Sequence, residues 1–129
     1  MMRLLLDTHI ALWAITDDRR LSEAARSMIA DRSNPIYVSA ASVWEITIKH
    51  ALRRADMPIS GSRACAYFRS SGYELLDITA QHAVGVEKLP SLHADPFDRL
   101  IVAQAIAEPL RLMTHDATLA RYSDTIIHV

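Results

Sequence analysis

Leu4-Leu5-Leu6-Asp7-Thr8-His9 is the stretch on which the fold turns. Three leucines with no polar alternation are the signature of a short strand in a parallel sheet covered on both faces. The run stops on a carboxylate. In open α/β sheets the functional crevice lies beyond the carboxyl ends of the strands, so Asp7 stands where chemistry is done if this strand is central. A buried strand gains nothing by ending in an acid, which leaves Asp7 without an obvious structural explanation.

Outward from that strand, short apolar runs alternate with helical stretches. Thr8 to Ala14 reads as a short helix, and Leu21 to Asp31 as a second with Ser22 as N-cap, ended by the breaker cluster Ser33-Asn34-Pro35. Ile36 to Val38 is a second buried strand. The next helix covers Ser39 to Arg54, with Trp44, Ile48, Ala51 and Leu52 at helical spacing. Met57 to Gly61 is a loop, and a helix from about Ser62 to Ser70 is closed by Gly72. Tyr73 to Ile78 is a third strand, and Thr79 caps a helix running toward Lys88.

Pro96 to Glu108 carries the strongest helix signals: Asp95 at the N-cap, Pro96 in the first position and Pro109 beyond the end. Arg111 to Thr114 is a fourth strand, Ala117 to Tyr122 a short helix and Thr125 to Val129 a closing strand. The expectation is a three-layer α/β/α sandwich around a five-stranded, mostly parallel sheet, in one domain spanning residues 1–129.

Composition narrows the function classes. Half of the 129 residues are hydrophobic and 22% are charged, the balance of an ordinary globular domain rather than a disordered chain. The single cysteine, Cys65, forms no internal disulfide and excludes a cysteine cluster for zinc; it fits a reducing compartment, and a cytoplasmic protein is expected. Asp7 and His9 interrupt the N-terminal apolar run before it reaches the length of a signal-peptide core, and no 18 apolar residues run together, so no membrane span is expected.

Fourteen basic residues against 15 acidic ones give a net charge of -1. That is not the basic excess of a protein that holds nucleic acid by many phosphate contacts. A nucleic-acid substrate would need a local patch, metal ions or a dimer surface. Lys49, Arg53 and Arg54, with Arg99 and Arg121, are the candidates for the patch; a solvated helix face explains the first three equally well.

Four acids fall at the functional edge of this frame. Asp7 ends the first strand, Glu45 lies early in the helix after the second, Asp98 is in the first turn of the Pro96 helix and Asp116 follows the fourth strand. Carboxylates gathered in one pocket repel each other unless a cation neutralises them. Oxygen ligands without cysteine or a paired-histidine motif select Mg²⁺ or Mn²⁺ over zinc. Such a site fits metal-assisted hydrolysis of a phosphodiester.

Local structure offers a competing explanation for three of them. Ser42 and Glu45 have capping-box spacing and Glu45–Lys49 is a favourable i, i+4 pair. Asp98 suits a helix dipole, with Asp95 assigned to the cap, and Asp116 has the position of an N-cap. Thr8, Ser39 and Thr114 sit beside the acids and can support them by hydrogen bonds or merely satisfy local backbone. His9, His82, His93 and His115 lack metal-ligand spacing and read as surface or packing residues, and Trp13 and Trp44 as core or dimer contacts.

Four segments together resemble a known family: Leu5 to Trp13, Ser39 to Ile46, His93 to Ala105, and Thr114-His115-Asp116. In this order they look like the PIN-domain ribonucleases, specifically the VapC toxins of bacterial type II toxin-antitoxin pairs, over essentially the whole chain. The resemblance implies a homodimer, Mg²⁺- or Mn²⁺-dependent cleavage of RNA, and inhibition by a cognate VapB antitoxin whose C-terminal segment occupies the groove. The family's acidic site maps onto Asp7, Glu45 and Asp98, with Asp116 as the more variable fourth acid. Pro109 departs from the glycine common before the fourth strand, which affects only that turn. Weak basicity favours a small structured target such as a tRNA loop over tracking along RNA.

The mechanism expected from these residues has Asp7 and Asp98 hold the principal ion, Glu45 orient or deprotonate the attacking water, and Asp116 complete the site or recruit a second ion. Two rivals stand beside it. A phosphoryl-transfer domain of dehalogenase type needs Asp-x-Asp, which Asp7-Thr8-His9 breaks, and the receiver type needs a late lysine, whereas none follows Lys88. A PIN-like module that only binds RNA or a partner chain would have no use for an intact acid set.

Overall fold

Leu4, Leu5 and Leu6 form β1 (Leu4–Leu6), and all three are fully buried because they face two different cores. Leu4 and Leu6 pack into a cluster with Ile10, Trp13, Val38 and Phe68, whereas Leu5 enters a second cluster with Ile101, Val102 and Leu112. Double coverage is the physical reason the run shows no polar alternation. The computed structural model describes residues 1–129.

The chain continues through α1 (Thr8–Thr16), α2 (Glu23–Ala30), β2 (Ile36–Ser39), α3 (Ala40–Ala51), α4 (Gly61–Ser70), β3 (Glu74–Leu76) and α5 (Ala80–Gly85). A 3-10 turn over Val86–Lys88 follows, then α6 (Pro96–Ala107), β4 (Arg111–Thr114), α7 (Ala117–Ala120) and β5 (Ile127–His128). The strand order is β3-β2-β1-β4-β5 and every pairing is parallel, with Leu6 level with Val38 on one side and Met113 on the other. The expected α/β/α sandwich with β1 at its centre is the observed architecture. Because the chain leaves β1 to one side through β2 and β3 and returns on the other at β4, the topological switch lies between β1 and β4.

Several local expectations need correcting. Helix α3 stops at Ala51 rather than Arg54, because Arg53 turns left-handed at φ 57. Its buried face is Ala41, Ser42, Glu45 and Ile46, not the Trp44–Leu52 stripe; Trp44 is 56% and Leu52 69% exposed. The helix is rolled so that its polar residues enter the edge beside Asp7. Gly61 is the first residue of α4 and not a loop residue. A Cβ there would meet Thr47 Oγ1 at 1.8 Å, so glycine lets α4 close on α3. No helix is long and apolar enough to cross a membrane.

Candidate active site

Asp7 follows β1 directly and also caps α1, its Oδ1 accepting from Thr8 N at 2.8 Å. The carboxylate therefore has a local role that the strand reading missed. Its Oδ2 accepts the hydroxyl of Thr114, at the end of β4, at 2.7 Å. Both oxygens are fixed, Oδ2 across the switch point, on a side chain that is almost wholly buried.

Thr8 carries the network to the neighbouring helix. Its hydroxyl lies 2.7 Å from Glu45 Oε1 and 2.9 Å from Ser42 Oγ; with one proton to give, it donates to the carboxylate and accepts from the serine. Glu45, 2% exposed, receives the Lys49 ammonium on Oε2 at 2.5 Å. Ser42 is not the N-cap: Ser39 caps α3 through Ala41 N, so the capping-box explanation of Glu45 fails while the Glu45–Lys49 pair stands.

Asp116 is shared between fold and site. Its Oδ1 caps α7, accepting from Thr118 N at 2.8 Å and Leu119 N at 3.3 Å, and its own amide donates to Thr114 Oγ1 at 3.0 Å. Oδ2 meets His93 Nε2 at 2.9 Å. His93 Nδ1 accepts from Asp95 N at 3.1 Å, which puts the ring proton on Nε2 and makes His93 a donor toward the acids. His93 is the site residue that sequence reasoning missed, since it lies 23 residues from Asp116 and no spacing rule links them.

Asp98 differs from the other three. Asp95 caps α6, accepting from Phe97 N and Asp98 N, while the Asp98 carboxylate accepts no hydrogen bond and has only His93 Nε2 nearby, at 3.6 Å. Burial, then the charges of Asp7, Asp95, Glu45 and Asp116, push its pKa up to about 8. Burial likewise raises Asp7 above the usual carboxylate range, despite the bonds from Thr114 and Thr8. At Asp116 burial is outweighed by the bonds from His93 and the α7 amides, which hold it below that range. The ligand atoms of His93, Asp98 and Asp116 lie within 4.8 Å of one another.

A carboxyl group that is partly buried, surrounded by negative charge and given no donor fits a cation, and the oxygen-rich donor set fits a hard divalent one. The four predicted acids thus meet at one edge, Asp7, Glu45 and Asp116 linked through Thr8 and Thr114 and Asp98 beside them next to His93. Ser39, one residue beyond Val38 as Asp7 is one beyond Leu6, bonds none of the acids directly: it caps α3 and donates to Gln104 Oε1 at 2.5 Å.

The expected RNA contacts divide. Lys49 is at the site and Arg53 is exposed beyond α3, but Arg99 turns inward, its guanidinium donating to Val86 O at 3.4 Å and Leu89 O at 3.3 Å. Those carbonyls flank the 3-10 turn before α6, and Arg99 is half-buried and engaged within the chain. A cavity of ≈ 710 Å³ lined by residues that include Arg26, Asp31, Asn34 and Tyr73 contains none of the four acids. Trp13 is in the core, while Trp44 stands at the rim, edge-on to Phe97 with ring centres 5.1 Å apart.

Comparison with known proteins gives a consistent picture. The PIN domain family model matches residues 4–124. Ribonuclease VapC22 of Mycobacterium tuberculosis is 33% identical over 124 residues, covering 92% of this chain and 91% of that protein. Among solved structures, VapBC2 from Rickettsia felis bound to a DNA fragment from its promoter superposes with a TM-score of 0.71 at 21% identity, over 99% of this chain and 98% of that one. DNA-bound VapBC from Salmonella typhimurium gives 0.67 at 18% identity, over 100% and 98%, and FitAcB from Neisseria gonorrhoeae 0.64 at 17%, over 98% and 96%. At these identities the structural likeness establishes the fold.

Proposed function

This chain belongs to the PIN-domain family, and we propose that it is a divalent-metal-dependent endoribonuclease, the toxin of a VapBC-type toxin-antitoxin pair. The observation that carries the proposal is the set of four acids at the β1/β4 switch point, with Asp98 left without a donor and its pKa pushed up to about 8. Similarity to Ribonuclease VapC22 supports RNA as the substrate. The VapBC neighbours support a VapB-type antitoxin as the partner. The exposed Trp44 on α3 and Leu52 at its C-cap support a homodimer.

Asp7 and Asp98 would hold the principal ion, with Glu45 and Asp116 completing the site; Mg²⁺ is the preferred ion and Mn²⁺ a substitute. When bound, the cation acidifies water and neutralises charge on the phosphoryl oxygens. The chain's own contribution is arrangement. Thr114 and the Thr8 amide hold Asp7 by both oxygens, and Thr8 holds Glu45 so that its carboxylate faces the site to orient the attacking water. A near-neutral protein has little charge for long RNA, which favours a compact structured target such as a tRNA loop.

Asp7→Asn tests this directly: it keeps size and the Thr8 cap while removing one charge. RNA cleavage in Mg²⁺ or Mn²⁺ should fall to background with the fold retained, and EDTA should abolish cleavage by the parent. Cleavage that survives either treatment overturns the proposal.

A further inference from the structure

Both oxygens of Glu45 are engaged from within the chain. Oε1 is tied inward to Thr8, itself fixed by Ser42, and Oε2 takes the Lys49 ammonium at 2.5 Å. The glutamate side chain is 3% exposed and the lysine 18%, so the pair is dry at the carboxylate and reaches water at the ammonium. This distinguishes it from the solvent-exposed i, i+4 pairs of ordinary helices, worth only a few tenths of a kcal/mol. Asp98, with the same need for positive charge, has no comparable partner.

Oε2 is the oxygen of Glu45 that is not committed to the core, and Lys49 is on it. An ammonium and a divalent cation cannot share that oxygen without strong repulsion. Lysine suits a counter-ion that must leave: it is a point charge on a flexible stem, with no bidentate geometry to break. The neighbouring groups agree, since Asp95 also attracts the ammonium and Arg54 repels it.

Resting on the metal-nuclease reading above, we propose that Lys49 is a resident counter-ion of the metal site, holding Glu45 in the cation-free protein and yielding its Oε2 when a divalent cation enters. Lys49 thereby holds a buried carboxylate in place, and it lowers the affinity of the site for metal. Metal entry and displacement of the ammonium toward the open side are one event.

The test is a calorimetric Mn²⁺ titration of the metal-stripped full chain, for the parent, Lys49→Met and Lys49→Arg. Removing a charge-assisted competitor should tighten Mn²⁺ binding by about tenfold in Lys49→Met, and Lys49→Arg should bind no more tightly than the parent. The melting temperature of Lys49→Met should be lower than the parent's without metal and rise further on saturation with Mn²⁺. If Lys49→Met is unfolded without metal, Mn²⁺ should restore its circular-dichroism signal; failure to do so overturns the proposal. Binding equal to or weaker than the parent's also overturns it, while leaving the nuclease reading intact. A parent that binds no Mn²⁺ overturns both.

Discussion

Thr114 donates its hydroxyl to Asp7 Oδ2 across 2.7 Å, joining the end of β4 to the carboxylate at the end of β1. Thr114 Oγ1 in turn accepts from Asp116 N at 3.0 Å, so one buried threonine sets two of the acids. Thr114→Val keeps the shape and deletes the donor. A buried charge that loses a hydrogen bond costs about 1–3 kcal/mol, and urea unfolding of the metal-free protein should show a loss of that size. Thr114→Ser should restore most of it.

Asp98 predicts a pH dependence of definite sign. Unfolded, it loses its proton near its ordinary value of 3.8; folded, it holds the proton to about 8. Between those values the folded state binds more protons than the unfolded, so Asp98 makes metal-free stability fall as pH rises through that window and level off above it. Asp98→Asn should flatten this slope and melt higher than the parent at pH 8 without metal. At pH 7 Mn²⁺ binding to the parent should release close to one proton, measured from titration enthalpies in buffers of different ionisation heat; Asp98→Asn should not release it.

His93 is predicted to act through Asp116 and not as a ligand, because Asp95 N occupies Nδ1 and leaves the proton on Nε2. Partners that orient metal-binding side chains typically contribute about 10–100-fold in metal affinity. His93→Ala should weaken Mn²⁺ binding within that range, and an NMR titration should show the Asp116 carboxyl moving back up toward its ordinary pKa. An unchanged Asp116 titration would count against this role.

Gly61 supplies a packing prediction independent of the chemistry. Gly61→Ala drives a Cβ to within 1.8 Å of Thr47 Oγ1, and overpacking of this kind costs about 1–3 kcal/mol. Pairing it with Thr47→Ala should recover only part of the loss, since the Thr47 Cβ itself lies at 2.9 Å.

The layered architecture was legible because its signals are local. The Leu4–Leu6 run declares a doubly covered strand, and Asp95-Pro96 declares a helix start. The four acids were legible as a group because each follows a strand or opens a helix, and the structure brings them to one edge. Helix α3 departs from its apolar spacing for a physical reason: periodicity picks out Trp44, Ile48, Ala51 and Leu52, but this helix buries Ser42 and Glu45 and leaves Trp44, Ala51 and Leu52 exposed. The end of β3 was overextended because Asp77 and Ile78 continue the pattern without pairing. His93 stayed hidden because the pairing of an imidazole depends on tertiary geometry that one chain of letters does not carry.

The central claim is that this acidic edge holds a divalent cation, and anomalous diffraction from crystals soaked in Mn²⁺ tests it most directly. A manganese peak in coordination contact with the carboxylates of Asp7 and Asp98, absent from Asp98→Asn crystals, is the predicted result. No peak at that edge, or one equally strong in Asp98→Asn, would contradict it.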